Sequence, residues 1–280
     1  NVMCAIKDNI KPHISHQGKP FIQLYQRLPY GQYLYFNIEK NFQLKIQPHM
    51  LKQYHYIPIL TIITYMSLIY IGQKWMLSKK AIKCTNLLSF WNLTLSIFSF
   101  FGMIRTVPEI LYRLHTESFI STITTPSITS WGVGATGLWV QLFVFSKFPE
   151  LFDTLFLVIR KKPVIFLHWY HHVTVLLYCW HSYVTEAPQS LYFVAMNYSV
   201  HSMMYGYYCL MNLKMKPKWL SPIYITIMQI TQMILGVTIQ LYSSFHYLTN
   251  SDSPMNAGNL IGGGLMYLSY LGLFINFAYN

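Results

Sequence analysis

The stretch His168-Trp169-Tyr170-His171-His172 places three imidazoles in an otherwise apolar segment. Spacings of three and four set all three on one side of a helix. A neutral imidazole is a nucleophile near pH 7 and also a ligand for metals such as iron. The structural alternative is three histidines that hydrogen-bond neighbouring helices. Keeping three polar rings in lipid for that purpose is costly, and intramembrane polar groups usually face the bundle interior and mark function.

Three further stripes accompany the histidines. Lys147, Glu150 and Asp153 follow one another at intervals of three and share a broad helical face. A lysine and two acids inside a membrane must pair or meet water. They can orient the histidines, or form a buried ion-pair network that only fixes helix register. Pro149, among them, is expected to bend the helix or open its hydrogen-bond ladder. Asn197, His201, Tyr205 and Tyr208 form a second stripe, and Thr226, Gln229 and Gln232 a third. Aromatic and amide stripes also serve as interhelical glue, so both readings stand for these two.

The surrounding sequence places these groups in a bilayer. Of the 280 residues, 53% are apolar and only 10% charged, too little charge to cover a soluble surface. The net charge of +12 sits in short Lys/Arg clusters between long apolar runs, a membrane pattern that argues against a nucleic-acid partner. About 20 apolar residues span a bilayer as helix. Seven such spans are expected, at 57–76, 87–107, 131–159, 163–183, 190–212, 221–246 and 258–279, the third interrupted by its charges. The fold class is thus an all-α integral membrane protein, a bundle of seven transmembrane helices over 57–280. Residues 1–56 read as an extramembrane arm, and the Ser/Thr-rich 108–130 as a loop. Cys4, Cys84, Cys179 and Cys209 are scattered and form no CxxC pair, which speaks against zinc and a disulfide framework.

Loop charge orients the spans. Lys74, Lys79, Lys80 and Lys83 follow the first, Arg160, Lys161 and Lys162 the third, and Lys214, Lys216 and Lys218 the fifth. The alternate connections at 184–189 and 247–257 carry no Lys or Arg, and 108–130 carries only Arg113. The C-terminus is therefore expected in the cytosol and the N-terminal arm on the far side, although Lys45 and Lys52 in the arm run against the rule. At about 1.5 Å of rise per residue, His168–His172 lie roughly 9–15 Å below the Arg160–Lys162 loop and Lys147–Asp153 roughly 10–20 Å. Gln229 and Gln232 lie roughly 12–17 Å below Ser221, and His201 about 20 Å below Lys214. Four helices thus bring their polar groups to one layer nearer the cytosol, with cationic loops at its entrance. Such a pocket suits a substrate with an anionic cytosolic head and an apolar tail.

These motifs resemble a known family. KFPELFDT at 147–154, HWYHH at 168–172, NYSVHSMMYGYY at 197–208 and TIMQITQ at 226–232 look like the ordered motif set of the ELO elongases of very-long-chain fatty acids, and the likeness extends from Phe36 (FNIEKNF) to the end of the chain. The HWYHH form preceded by VIFL looks more like members acting on saturated and monounsaturated chains. The resemblance implies a barrel-like seven-helix bundle in the endoplasmic reticulum membrane, working beside the other enzymes of the elongation cycle. It implies condensation of acyl-CoA with malonyl-CoA to 3-oxoacyl-CoA, carbon dioxide and CoA, with no metal or other cofactor. It further implies a ping-pong reaction through an acyl-imidazole on His171, with His201 against the same centre. His168, His172, Lys147, Glu150, Asp153 and Asn197 complete the expected catalytic group. Tyr205, Tyr208, Gln229, Gln232, Arg160, Lys161 and Lys162 are expected to bind substrate.

Two rivals share features with this reading. A membrane desaturase or hydroxylase with a His-bound metal also uses HxxHH, but His181 and His201 are isolated and no second HxxHH occurs. A seven-span receptor or transporter fits the span count, yet needs no His cluster in such a pocket, and no inverted repeat is evident. The orientation is open to a direct test. Single cysteines placed in 184–189 and in 214–218 should differ in labelling by an impermeant thiol reagent in sealed microsomes, and equal labelling would sink the seven-span topology.

Overall fold

The computed structural model describes residues 13–14, 20–28, 31–42 and 48–279. Parts of the expected arm, Cys4 and Lys45 among them, lie outside the described residues. Eight longer helices occur among those described: α1 Tyr56–Leu77, α2 Thr85–Thr116, α3 Gly134–Ser146, α4 Phe152–Ile159, α5 Phe166–Val184, α6 Ser190–Asn212, α7 Pro222–Thr249 and α8 Ala257–Tyr279. Short helical turns lie at Leu24–Arg27, Gly31–Leu34, Asn37–Lys40, Pro48–Lys52 and Phe119–Thr124. The one strand pair among the described residues, β1 His13–Ile14 and β2 Pro20–Phe21, is antiparallel.

Local chemistry explains the helix boundaries that bear on function. Pro149 has no N–H to donate to the Phe145 carbonyl. That carbonyl instead accepts from Phe148 at 3.2 Å, and the chain tightens into a 3-10 turn at Pro149–Leu151. The expected span at 131–159 is therefore two helices, α3 and α4, meeting at an angle set by that turn. The start of α7 is conventional: the Ser221 side chain accepts from the Ile223 N–H, and Pro222 occupies the first turn, where a missing N–H costs nothing.

The loop expected over 108–130 is corrected at its start. α2 continues through Pro108 to Thr116, burying Glu109, Ile110 and Arg113. This extension packs on the turn Leu24–Arg27, where Arg27 donates to the Tyr112 hydroxyl at 3.1 Å and its guanidinium covers the Tyr112 ring. Tertiary contact there outweighs the single bond that Pro108 removes.

Helix contacts close a ring. α2 packs on α6, α6 on α7, α7 on α8, α8 on α5, α5 on α3, and α3 on α2. α1 stands outside it, touching α4 and α5. The expectation of a seven-helix barrel thus becomes a ring of six helical segments with one outer helix. The α2–α6 seam is the most extensive, and small residues allow it: Gly102 lies against the Tyr198 ring so closely that a Cβ would collide. Ser96 adds a bond to the Ser202 carbonyl at 2.6 Å. By length and composition α1, α2, α7 and α8 suffice to cross a membrane. Of the other four, α3 and α4 are short, 13 and 8 residues on either side of the Pro149 turn, and α5 and α6 carry polar stripes that dilute their apolar content.

The segment 23–42 is clamped onto the ring. Glu39, only 2% exposed, accepts from Arg105 at 2.9 and 3.1 Å and from Trp139 Nε1 at 2.7 Å, while the Phe36 N–H donates to it at 2.8 Å. The Arg105 guanidinium also caps the Tyr35 ring and donates to the Leu34 carbonyl at 2.8 Å. Gln23 bridges the other edge, accepting from the Ala135 N–H and donating to the Lys40 carbonyl, both at 3.0 Å. Its side chain fills the space a Cβ would need at Gly134, whose φ of 64° already favours glycine.

Burial acts to raise the Glu39 pKa, but the hydrogen bonds from Arg105, Trp139 and Phe36 and the Arg105 charge outweigh it and hold the carboxyl below its usual range. The stability this supplies is complete at neutral pH and is lost as pH falls through the lowered folded value. Glu39→Ala leaves Arg105 buried and unpaired, at a cost of about 3–5 kcal/mol. The expected outcome is a lower melting temperature in detergent and faster tryptic cleavage after Arg27 and Lys40; unchanged melting and cleavage would count against the clamp.

Candidate active site

The site begins with a buried cation. Lys147 is 2% exposed, and its ammonium donates to both Glu150 oxygens at 2.8 and 2.9 Å and to Asn197 Oδ1 at 3.3 Å. It also lies over the Phe143 ring, 4.1 Å from the centroid. Ser146 donates to Glu150 Oε1 at 2.8 Å. With its oxygen on Lys147, the Asn197 amide turns Nδ2 toward His201 Nε2 at 3.2 Å. That nitrogen accepts, so the His201 proton sits on Nδ1, which faces Glu150 Oε2 at 3.9 Å. The Pro149 turn joins Lys147 to Glu150, and α6 supplies Asn197 and His201 one helical turn apart.

Asp153 belongs to a different network. Lys147, Glu150 and Asp153 share a face in sequence, but the 3-10 turn rotates Asp153 away from the cation. Its carboxylate accepts from Trp91 Nε1 on α2 and from the Tyr205 hydroxyl on α6, each at 2.7 Å. Asp153 thus ties three elements together as an acceptor rather than as an ion-pair partner.

The histidines line one wall. The His168 and His172 rings are tilted at 59° with centres 4.6 Å apart, and His171 lies 5.6 Å from His172. His168 Nε2 meets Thr154 Oγ1 at 2.8 Å. The His171 ring leans on Tyr270, whose hydroxyl donates to the His171 carbonyl at 3.1 Å. Among the described residues no hydrogen bond engages the His171 ring nitrogens.

A cavity of about 580 Å³ gathers these walls. Of the residues singled out by sequence, Glu150, Asp153, Arg160, His168, His171, His172, Asn197, His201, Tyr205, Tyr208, Gln229 and Gln232 line it. Lys147 is not in the lining and reaches the site through Glu150 and Asn197. Lys161 and Lys162 also stand apart: Lys161 has φ 55°, and its ammonium donates to the Leu77 carbonyl at 3.3 Å. A left-handed residue thus follows α4, and of the three basic residues only Arg160 lines the cavity. Thr226 hydrogen-bonds its own helix at the Pro222 carbonyl. Among the described residues no three His, Cys, Asp or Glu side chains converge to hold a metal ion.

Sequence reasoning missed Trp91 on α2 and Tyr65 on α1, which bonds Thr154 at 2.7 Å. Each is a single polar aromatic in an apolar run and carries no periodic signal. Thr154 stood inside the KFPELFDT motif, and only its burial at 1% exposure marks it as part of the site.

A sequence profile of the GNS1/SUR4 (ELO) family matches residues 50–280. The chain is similar to proteins named very long chain fatty acid elongase 6: in Drosophila melanogaster it is 39% identical over 218 residues, covering 77% of this chain and 69% of that protein. In Gallus gallus the figures are 39% over 216 residues, 77% and 80%. It is also similar to putative fatty acid elongase 3 of Caenorhabditis elegans, 36% identical over 255 residues, covering 88% of this chain and 77% of that protein.

The Asp153 network has a testable asymmetry. A carboxylate accepts from Trp91 and Tyr205 at separate oxygens, whereas an amide offers one acceptor. Asp153→Asn therefore strands one buried donor, at about 1–3 kcal/mol. Tyr205→Phe in the same background removes that donor and should recover part of the lost melting temperature. Additive losses in the double variant would show that the two residues do not share this bond.

Proposed function

The chain belongs to the GNS1/SUR4 (ELO) family, and from that membership and the cavity we infer that this multi-pass membrane protein is a fatty-acid elongase. It condenses a long-chain acyl-CoA with malonyl-CoA to give 3-oxoacyl-CoA, carbon dioxide and CoA, and it needs no cofactor. The observation that carries the reading is the position of His171: an uncommitted imidazole on the wall of a cavity whose other residues include Asn197, His201 and Asp153.

In the first half-reaction the neutral His171 ring attacks the thioester carbonyl, and the C–S bond breaks. CoA leaves as the thiol, taking up the proton the ring gives up, and the acyl group stays on nitrogen. In the second, malonyl-CoA loses carbon dioxide, and the electron pair of the broken C–C bond forms an enolate. The enolate carbon attacks the acyl carbon, and the imidazole departs and regains from water the proton that left with the CoA thiol. Asn197, through its second Nδ2–H, and His168 are the donors available to the developing oxyanion, and His201 orients Asn197. The Lys147–Glu150 pair holds Asn197 and His201 in place for that task. Arg160 stands at the cavity as a partner for the CoA phosphates, and Tyr205, Tyr208, Gln229 and Gln232 contact the substrate.

The proposed setting is the endoplasmic reticulum membrane, beside the other enzymes of the elongation cycle. Seven crossings are assigned, with α3 and α4 together as the third, and the C-terminus lies in the cytosol. Residues 1–56 form the arm outside the bilayer and 57–280 the membrane domain. The alternation of basic loops supports this orientation. So does the position of Arg105, which receives the arm about 30 Å along α2 from its lysine-rich end.

Incubation with acyl-CoA alone should release CoA and leave the acyl group on the protein. His171→Ala should abolish both acylation and condensation. Cys179, a buried thiol about 12 Å further along α5, should be dispensable, so Cys179→Ala should keep most activity. His201→Ala is expected to acylate yet fail to condense. Mass spectrometry of the acylated protein decides: an adduct on a cysteine, or condensation with no adduct, would defeat the acyl-imidazole while leaving the elongase assignment in place.

A further inference from the structure

The outer helix α1 contributes little to the ring, yet one of its side chains reaches the site. Tyr65 and Thr154 are buried, and Tyr65 OH, Thr154 Oγ1 and His168 Nε2 form an unbroken chain with steps of 2.7 and 2.8 Å. The chain joins α1, α4 and α5, the three helices that meet at this corner. His168 at its end lines the cavity.

Proton counting gives the chain a direction. Each hydroxyl has one proton to donate, and a neutral imidazole has one N–H. If His168 Nε2–H donated to Thr154, Thr154 would either accept from Tyr65 as well, leaving its own buried proton without an acceptor among the described residues, or donate to Tyr65. In the second case the buried Tyr65 proton has no acceptor among the described residues, and either way a buried hydroxyl is left as an unsatisfied donor. In the opposite direction Tyr65 donates to Thr154, Thr154 donates to His168 Nε2, and both hydroxyl protons are used. The proton of His168 is then on Nδ1.

We propose that Tyr65 and Thr154 are positioning residues that hold His168 as its Nδ1–H tautomer, making it a hydrogen-bond donor to the reaction centre and not a base. Nε2 is occupied by Thr154, so it takes no proton from substrate or from His171. Nδ1–H is left to meet negative charge, on the departing thiolate or on the oxyanion. The division of labour within HxxHH follows: His171 offers a free nitrogen, and His168 offers a fixed N–H. It also gives α1 a task in catalysis, since no other helix supplies the far end of the relay.

The proposal rests on the acyl-imidazole reading for its chemistry, but the tautomer can be read with no substrate present. Nitrogen-15 NMR of histidine-labelled protein, with the His168 signal assigned by its loss in His168→Asn, should show an Nδ1–H ring. Thr154→Val removes the hydroxyl from a side chain of similar shape, and the tautomer should no longer be held. In steady-state condensation of acyl-CoA with malonyl-CoA, Tyr65→Phe and Thr154→Val should lower kcat about ten- to hundredfold, the scale set by a misplaced catalytic group. KM should stay within about twofold, because neither side chain binds substrate in this proposal. Thr154→Ser keeps the hydroxyl and should restore near wild-type kcat. An Nε2–H ring in the wild-type protein would overturn the proposal, as would an unaltered kcat in Thr154→Val or a Thr154→Ser variant as impaired as Thr154→Val. Wild-type protein that releases no CoA from acyl-CoA alone would count against the reaction scheme, and the spectrum would still report the relay.

Discussion

The buried pair of Lys147 and Glu150 is the constraint around which the site is arranged. An ammonium and a carboxylate withdrawn from water are tolerated only when each finds the other and their remaining hydrogen-bonding capacity is met. Here both carboxylate oxygens receive the ammonium, Ser146 adds a further donor, and Asn197 takes the next share of the lysine. The pair spans the break at Pro149, so it also closes the joint between α3 and α4. Removing either charge would leave the other stranded in the ring, with consequences for His201 as well as for the fold.

Polarity in this protein is distributed inside out. Large apolar side chains on α1, α7 and α8 face outward, including Leu68, Leu241 and Leu265, each more than half exposed. The polar groups that line the cavity point inward and are tied to one another across helices. This is the arrangement a bilayer demands, because lipid cannot satisfy a donor. Trp91, Tyr205 and Asp153 illustrate the result. A carboxylate that would be costly alone becomes a knot joining α2, α4 and α6.

The arm carries a second buried pair, Glu39 with Arg105, supported by Trp139. Trp139 on α3 also packs against Phe98, Phe101 and Tyr198. The clamp is thus continuous with the aromatic core between α2, α3 and α6. The two ion pairs meet α3 at different levels: Glu39 reaches its middle through Trp139, and the Lys147–Glu150 pair lies just past its end. The start of α3 is held by the neutral Gln23, which accepts from the Ala135 N–H.

The sequence by itself determined which helices carry the polar groups and where along them those groups lie. Periodicity on α5 and α6 placed His168, His171, His172, Asn197 and His201 on inward faces, because helical spacing is local and independent of the partner. Helix rise put the stripes in one layer, and the ordered motifs pointed to the family before any contact was known. Only the tertiary structure decided which groups meet. Lys147, Glu150 and Asp153 look alike in sequence, but a missing N–H at Pro149 rotates Asp153 onto Trp91 and Tyr205. Lys161 and Lys162 read like Arg160 in sequence, but of the three only Arg160 lines the cavity. Tyr65 and Trp91 gave no signal at all, since a lone polar atom in an apolar helix acquires its role from whatever the fold brings opposite it. Nor does the pattern reveal that α1 lies outside the ring, because an apolar helix facing lipid and one facing other helices are written in the same residues.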